Sequence, residues 1–282
     1  MFKFGFSRDA EAEEKDIDTK TSSVDWIPAT KVEVSSTYFE NLFEDDVYTE
    51  NTIFPGCKLK VIRTEKALVD LEKQNCKNII QAESQHSDLI PAVYEGGLKI
   101  WECSYDLGRY IFENNIELRD KLVLDLGCGV GLIGLVALLK NAFVHFQDYN
   151  VEVIKTVTIP NVALNSEERE KALERCEFYC GDWESFAALF DAVESKKYDI
   201  IFTSETIYNP ENHRKLYEVF KKRLSQNGTG FIAGKSYYFG VGGGMKQFQD
   251  LILKDNFFDV EVAWKTEGGL QREILKITRK QL

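Results

Sequence analysis

The chain has 282 residues, 44% of them hydrophobic and 29% charged, and a formal charge of −11. That length admits one large α/β domain with an extension. No uninterrupted apolar run reaches membrane-spanning length, and the start MFKFGFSRDAEAEEKD turns acidic without a secretory core, so a soluble intracellular protein is expected. Residues 1–50 carry 13 acids and 5 basic residues, a balance of −8; the remainder carries 33 acids and 30 basic residues, a balance of −3. Direct nucleic-acid binding favours a basic stripe, which the sequence lacks, whereas an acidic chain suits a basic protein substrate. Lys221-Lys222-Arg223 reads as a solvated helix end. Six cysteines, at positions 57, 76, 103, 128, 176 and 180, form no CxxC pair, and there are three histidines. Reduced, buried thiols are expected rather than a structural zinc site.

In chain order, residues 1–50 read as an acidic, largely disordered segment, because Asp9 to Asp25 has little to bury. Tyr38 to Tyr48 interleaves aromatic and acidic residues and reads as part of that disorder, with a short docking segment as the alternative. Residues 51–103 form an N-terminal extension or lid, and residues 104–282 the main domain. Within the extension KLKVIR is strand-like and TEKALVDLEKQ helical. Val93-Tyr94 and Leu98 to Trp101 look extended about a Gly96-Gly97 turn. Ser104 to Glu117 is a helix with Ser104 as a candidate cap. Trp101 and Glu102 stand just ahead of it and are candidates for a lid.

Lys121 to Gly134, KLVLDLGCGVGLIG, is the centre of the pattern. Leu122 to Leu126 is an apolar strand with one acid, Asp125. Gly127, Gly129, Gly131 and Gly134 follow, then an apolar helix over Leu132 to Leu139. Strand, glycine loop and helix open a nucleotide-binding α/β sheet. Such a loop serves either a dinucleotide or S-adenosylmethionine (SAM). SAM has no pyrophosphate to seat on a helix end, and an acid before the glycines suits its ammonium group, so Asp125 favours SAM.

Ala142 to Asp148 is the second strand, ending on an acid placed to accept from both ribose hydroxyls. His145 sits in mid-strand and reads as a core residue. Asn150 to Asn165 is a helix that Pro160 could break. Cys176 to Cys180 is the third strand. After it, Asp182 suits an adenine amine and Trp183 its face; the alternative for Asp182 is a cap on the following helix. Tyr198 to Ser204 is the fourth strand, apolar and so buried on both faces. It leads into Ser204-Glu205-Thr206-Ile207-Tyr208-Asn209-Pro210, where ligands of open α/β sheets gather and a methyl acceptor would sit. Glu211 to Leu224 is a helix, Thr229 to Gly234 the fifth strand and Met245 to Lys254 a helix. Phe257 to Trp264 and Glu273 to Thr278 form an antiparallel hairpin. The fold class is α/β: a Rossmann-like, seven-stranded, mostly parallel sheet with a C-terminal antiparallel hairpin and helices on both faces. A dinucleotide dehydrogenase would instead repeat the parallel pattern.

DLIPAVYEGGLKIWECSYDL, VLDLGCGVGLIGL, FQDYN, GDWESF, TSETIYNPENH and GKSYYFGVGGG carry a resemblance. Over roughly Ser87 to Leu282 the chain resembles the seven-β-strand methyltransferases, and more narrowly the eukaryotic protein-histidine N-methyltransferases. That resemblance implies methyl transfer from SAM to a histidine of a large-subunit ribosomal protein, protein three, with S-adenosylhomocysteine as product. It implies a SAM site of Ile100, Trp101, Glu102, Cys103, Ser104, Gly127, Gln147, Asp148, Tyr149, Gly181, Asp182, Trp183 and Ser204, beside Asp125 and Gly129. It implies residence in cytoplasm and nucleus, nucleolus included; a monomer is expected.

A histidine's ordinary pKa of about 6.5 leaves it largely a neutral nucleophile at pH 7, whereas lysine, at about 10.4, must first lose a proton. What a histidine enzyme needs is a group that accepts from the second ring nitrogen. Glu205 or Asn209 suits that task, and Tyr208 would border the acceptor pocket. Glu205-Thr-Ile-Tyr208 also matches an acid-x-x-Tyr pattern of related lysine enzymes, so a lysine acceptor is one alternative. A non-catalytic SAM-binding scaffold is another.

Overall fold

The computed structural model describes residues 26–39, 42–44, 46–84, 90, 92–191 and 196–281. The reading of Asp9 to Asp25 therefore lies outside the described residues. Among the described residues ten strands follow in chain order: β1 Thr30–Val32, β2 Tyr48–Phe54, β3 Cys57–Ile62, β4 Leu122–Leu126, β5 Phe143–Asp148, β6 Cys176–Cys180, β7 Tyr198–Ser204, β8 Leu224–Lys235, β9 Phe258–Lys265 and β10 Arg272–Arg279. Eight of them make one sheet in the order β1-β6-β5-β4-β7-β8-β10-β9. β6, β5, β4, β7 and β8 are parallel; β10 runs antiparallel between β8 and β9. The strand order reverses at β4, so a crevice opens beyond the ends of β4 and β7.

The helices are α1 Thr64–Lys73, α2 Lys77–Ser84, α3 Glu102–Glu113, α4 Leu132–Leu139, α5 Val151–Val153, α6 Ile159–Leu164, α7 Arg169–Glu174, α8 Trp183–Ala188, α9 His213–Arg223 and α10 Met245–Asp255. Alternate strand residues feed two cores. Val123, Val144, Phe146, Phe178 and Phe202 pack with α3, α4, α6 and the β2–β3 hairpin on one face. Leu124, Leu126, Tyr179 and Ile201 pack with α8, α9 and α10 on the other. Each fully buried phenylalanine contributes on the order of 2 kcal/mol.

Four features depart from the sequence reading. Thr30–Val32, in the segment expected to lack structure, adds an eighth strand, pairing Thr30 with Cys180 and Val32 with Phe178. It is short and polar, and it forms because β6 offers an open edge. Val93 to Trp101 is a loop, with only a bridge between Ile90 and Tyr94. Tyr94 is fully buried and its hydroxyl takes the Leu98 amide at 3.2 Å, which removes that amide from any strand ladder. α3 begins at Glu102, so Ser104 lies in its first turn and Trp101 holds the cap position. Finally, Pro160 does not end the helix after β5. A π turn over Ile154–Thr158 precedes α6, and Pro160 falls in the first turn of α6, where its missing N–H is tolerated.

The hairpin of the extension is held from below. The side chains of Asn161 in α6 and of Asn165 at its C-cap accept from the Ile62 and Lys60 amides at 2.8 Å each, pairing the free edge of β3.

Candidate active site

A cleft of about 840 Å³, counting the part open to solvent, lies beyond the ends of β4, β5, β6 and β7. Its floor is the glycine loop. Gly129 has φ +50°, and a Cβ there would stand 3.0 Å from the Gly97 carbonyl oxygen, so two glycine turns lie back to back. Thr158 Oγ1, delivered by the π turn, donates to the Gly129 carbonyl at 2.7 Å, and Asn161 Nδ2 donates to the Val130 carbonyl at 2.9 Å.

Two buried carboxylates frame this loop. Asp125 Oδ2 accepts from the Gly134 amide at 2.8 Å, tying β4 to the start of α4. Burial pushes its pKa up to about 7. Asp148 Oδ2 accepts from Gly129 at 2.8 Å and Oδ1 from Asn150 at 3.1 Å; burial raises it to about 6. A cationic ligand would relieve the cost of charging both.

Gln147, wholly buried, acts behind the wall. Its Nε2 donates to the Gly181 carbonyl at 2.8 Å, and its Oε1 accepts from Trp183 Nε1 at 3.0 Å. It thereby fixes the plane of the Trp183 ring at the cleft. Asp182 performs the alternative task named for it, a helix cap: Oδ2 accepts from Glu184 at 3.0 Å and Ser185 at 3.4 Å, while Oδ1 pairs with Lys215 at 2.7 Å.

The loop over Glu95 to Trp101 closes the opposite side. Asn150 anchors it, donating to the Val93 carbonyl at 2.8 Å and accepting from the Glu95 amide at 3.3 Å. Trp101 Nε1 donates to the Gly96 carbonyl at 3.2 Å. Trp26 and Glu95 also line the cleft and were missed in the sequence; Gly97 and Thr206 line it too, and the sequence placed them only in a turn and in the acceptor stretch. Trp26 lay in a tract read as disordered; EGG at 95–97 was the available signal for Glu95.

A family model described as lysine methyltransferase matches residues 92–238. A histidine protein methyltransferase 1 homologue from Bos taurus is 42% identical over 249 residues, covering 80% of this chain and 67% of its own. The homologue from Rattus norvegicus is 39% identical over 262 residues, covering 83% and 72%. The chain belongs to the histidine protein methyltransferase family. A further homologue, from Dictyostelium discoideum, is 43% identical over 196 residues, covering 69% of this chain and 61% of its own. Among solved structures, the glycopeptide N-methyltransferase MtfA matches with a TM-score of 0.49 at 13% identity, covering 64% of this chain and 91% of that one.

As a member of this family the protein is a SAM-dependent methyltransferase acting on a protein. SAM supplies an electrophilic methyl group on a sulfonium. The cleft's residues fit such a ligand: buried carboxylates for its cationic groups, Asp148 at the end of β5, and the Trp183 ring for a flat base. Of the residues assigned to the SAM site from the sequence, Ile100, Trp101, Ser104, Asp125, Gly127, Gly129, Asp148, Tyr149, Gly181, Asp182, Trp183 and Ser204 line the cleft of the methyltransferase. Gln147 does not reach its surface and positions Trp183 instead. Glu102 points outward and pairs with Lys235 at 3.1 Å, and Cys103 is buried within α3, so neither faces the cleft. Their place in the first turn of α3 turns these two side chains away.

The acceptor residues divide in the same way. Tyr208 lines the cleft. Asn209 does not: its Oδ1 accepts from the Glu211 amide at 3.0 Å and caps the turn that Pro210 starts. Glu205 lines the cleft, yet its carboxylate is turned into the wall. Oε1 accepts from the Cys103 amide at 3.3 Å and Oε2 from the Tyr238 hydroxyl at 2.7 Å, with Lys235 3.8 Å away. The geometry makes Glu205 a clamp between α3, β7 and the segment after β8. Neither of the two described histidines lines the cleft: His213 bonds the Ile207 carbonyl at 2.9 Å, and His145, in β5, bonds Tyr198 at 3.0 Å.

Proposed function

We propose that this protein transfers a methyl group from SAM to a histidine imidazole of a large-subunit ribosomal protein. The observation that carries the reading is the match, at about 40% identity over most of the chain, to proteins named histidine protein methyltransferase. The chemistry agrees. A neutral imidazole brings its own lone pair, so catalysis reduces to alignment against the sulfonium and exclusion of water. The chain's charge of −11 suits a basic partner, as ribosomal proteins are.

The test is radiolabelled SAM with purified large-subunit proteins and with assembled subunits, followed by mass spectrometry of the labelled residue. Methylhistidine in one protein supports the reading. Methyl-lysine would overturn the acceptor, and label only on proteins outside the large subunit would overturn the substrate class. SAM binding without turnover on any fraction would favour a scaffold.

A further inference from the structure

Among the described residues five carboxylates line the cleft: Glu95, Asp125, Asp148, Asp182 and Glu205. Three of them close strands or cap a helix at the ends of β4, β5 and β6, which is the donor end. Of the two on the acceptor side, Glu205 turns its carboxylate into the wall, between the Cys103 amide, the Tyr238 hydroxyl and Lys235 3.8 Å away. Glu95 is different. It stands two residues before Gly97, whose turn covers Gly129, and its Oε2 accepts from the hydroxyl of Tyr208, four residues beyond the end of β7. Among the described residues its Oε1 accepts from the Ala92 amide alone, at 3.2 Å. The pair thus bridges the loop over the cofactor end and the segment where the acceptor enters.

We infer that Glu95, held by Tyr208, is the acceptor-positioning carboxylate, taking the N–H of the ring nitrogen that is not methylated. This inference rests on the histidine reading above and names the residue within it.

An ionised carboxylate has about four lone-pair positions, and two are used here, so it can accept one more bond. Holding that N–H leaves the other nitrogen with its lone pair aimed along the cleft. As the carbon–sulfur bond breaks and the carbon–nitrogen bond forms, the sulfonium becomes a neutral thioether and the ring becomes a methylimidazolium. The positive charge gathers on the N–H facing Glu95. The contact therefore strengthens as the reaction proceeds, which raises kcat rather than binding alone. The N–H proton then leaves through the carboxylate to water, returning neutral methylhistidine. Burial raises the Glu95 pKa, and the Tyr208 hydroxyl and Ala92 amide oppose that shift. Asp148 raises it further and Lys215 lowers it. Tyr208 itself is pushed well above the ordinary tyrosine range, so it remains a donor.

The experiment compares Glu95→Gln, Glu95→Asp and Tyr208→Phe in the full chain, with the wild-type protein substrate. SAM affinity is measured by calorimetry and the fold by the unfolding midpoint. Glu95→Gln is expected to lower kcat about 100-fold with a small change in KM, the size seen when a positioned acid–base group is lost. Glu95→Asp recovers part of the loss, because charge is kept. Tyr208→Phe, which keeps the ring, lowers kcat about tenfold, the scale of one lost hydrogen bond of about 1.4 kcal/mol. Glu95→Gln turning over like wild type would overturn the inference. So would a loss of SAM affinity that matches the loss of rate, which would move Glu95 to the donor end. If wild type itself labels lysine, the acceptor reading fails first; if wild type labels histidine and the variants are unaffected, only this assignment fails.

Discussion

The Gly97 carbonyl oxygen lies 3.0 Å from the place a Gly129 side chain would occupy, so the loop before α3 and the loop after β4 meet without room for a methyl group. Gly129→Ala should therefore act twice. A left-handed φ of +50° costs an alanine about 1–2 kcal/mol, and the new Cβ must push the Gly97 turn outward. Calorimetry should show SAM affinity falling by about tenfold or more, since 1.4 kcal/mol is a factor of ten. Unchanged affinity would mean the two loops separate freely.

Asp148 gives a pH dependence of cofactor binding. Its carboxyl is raised to about 6 by burial and should accept from ligand hydroxyls only when ionised. SAM affinity should then weaken as pH falls through about 6, and Asp148→Asn should bind weakly at every pH with that step gone. Stability runs the other way. A carboxyl raised in the folded state takes up its proton before the unfolded chain does, so its unfavourable contribution is relieved as pH falls. Binding isotherms and unfolding midpoints between pH 5 and 8 separate the two trends.

His145 should make the fold acid-sensitive. Burial lowers its pKa to about 4, outweighing the attraction of Glu177 at 3.1 Å. A folded pKa below the unfolded value of about 6.5 means stability is full above 6.5 and drains as pH falls toward 4. Its own contribution to the slope should approach about 1.4 kcal/mol per pH unit within that window, one proton being taken up by this group on unfolding. His145→Gln should remove that contribution, so unfolding midpoints rise more steeply as pH falls through this window, where the raised carboxyls of Asp125 and Asp148 act in the opposite sense, leaving the loss below about pH 4 to Glu177, whose pKa is held at about 2 by Lys196.

Arg272 grips Asp106 through Nε at 2.5 Å and Nη2 at 3.3 Å, joining α3 to β10. Asp106 is buried and Arg272 about a quarter exposed, so solvent screens part of the attraction. Asp106→Ala should cost about 1–2 kcal/mol, read as a lower midpoint with no change in the denaturant slope. A change in slope would mean that α3 detaches.

The parallel sheet was legible because its signals are local. Lys121 to Gly134 states strand, turn and helix within fourteen residues, and the apolar run of Tyr198 to Ser204 states burial on both faces. What escaped depends on distant partners. Thr30–Val32 has no alternation, and its partner β6 is about 150 residues away. Tyr94 reads as a strand residue until its hydroxyl is seen closing the loop on Leu98. Glu205 and Asn209 carry the right chemistry for an acceptor site, but Cys103, Tyr238 and Glu211 occupy their oxygens, and a sequence does not show which way a carboxylate turns.

The short strand at the sheet's edge bears on how the molecule can be shortened. Gly181 lies so close to the Pro28–Ala29 backbone that a side chain there would stand 2.6 Å from it. Just upstream, Trp26 stacks under Lys215 and leans on Tyr149 at the cofactor's end. Trimming the acidic head back to residue 33, as its composition invites, would peel one flank from the binding chamber and leave β6 with a bare row of amides. Lost activity in such a fragment would report a missing wall rather than a missing signal.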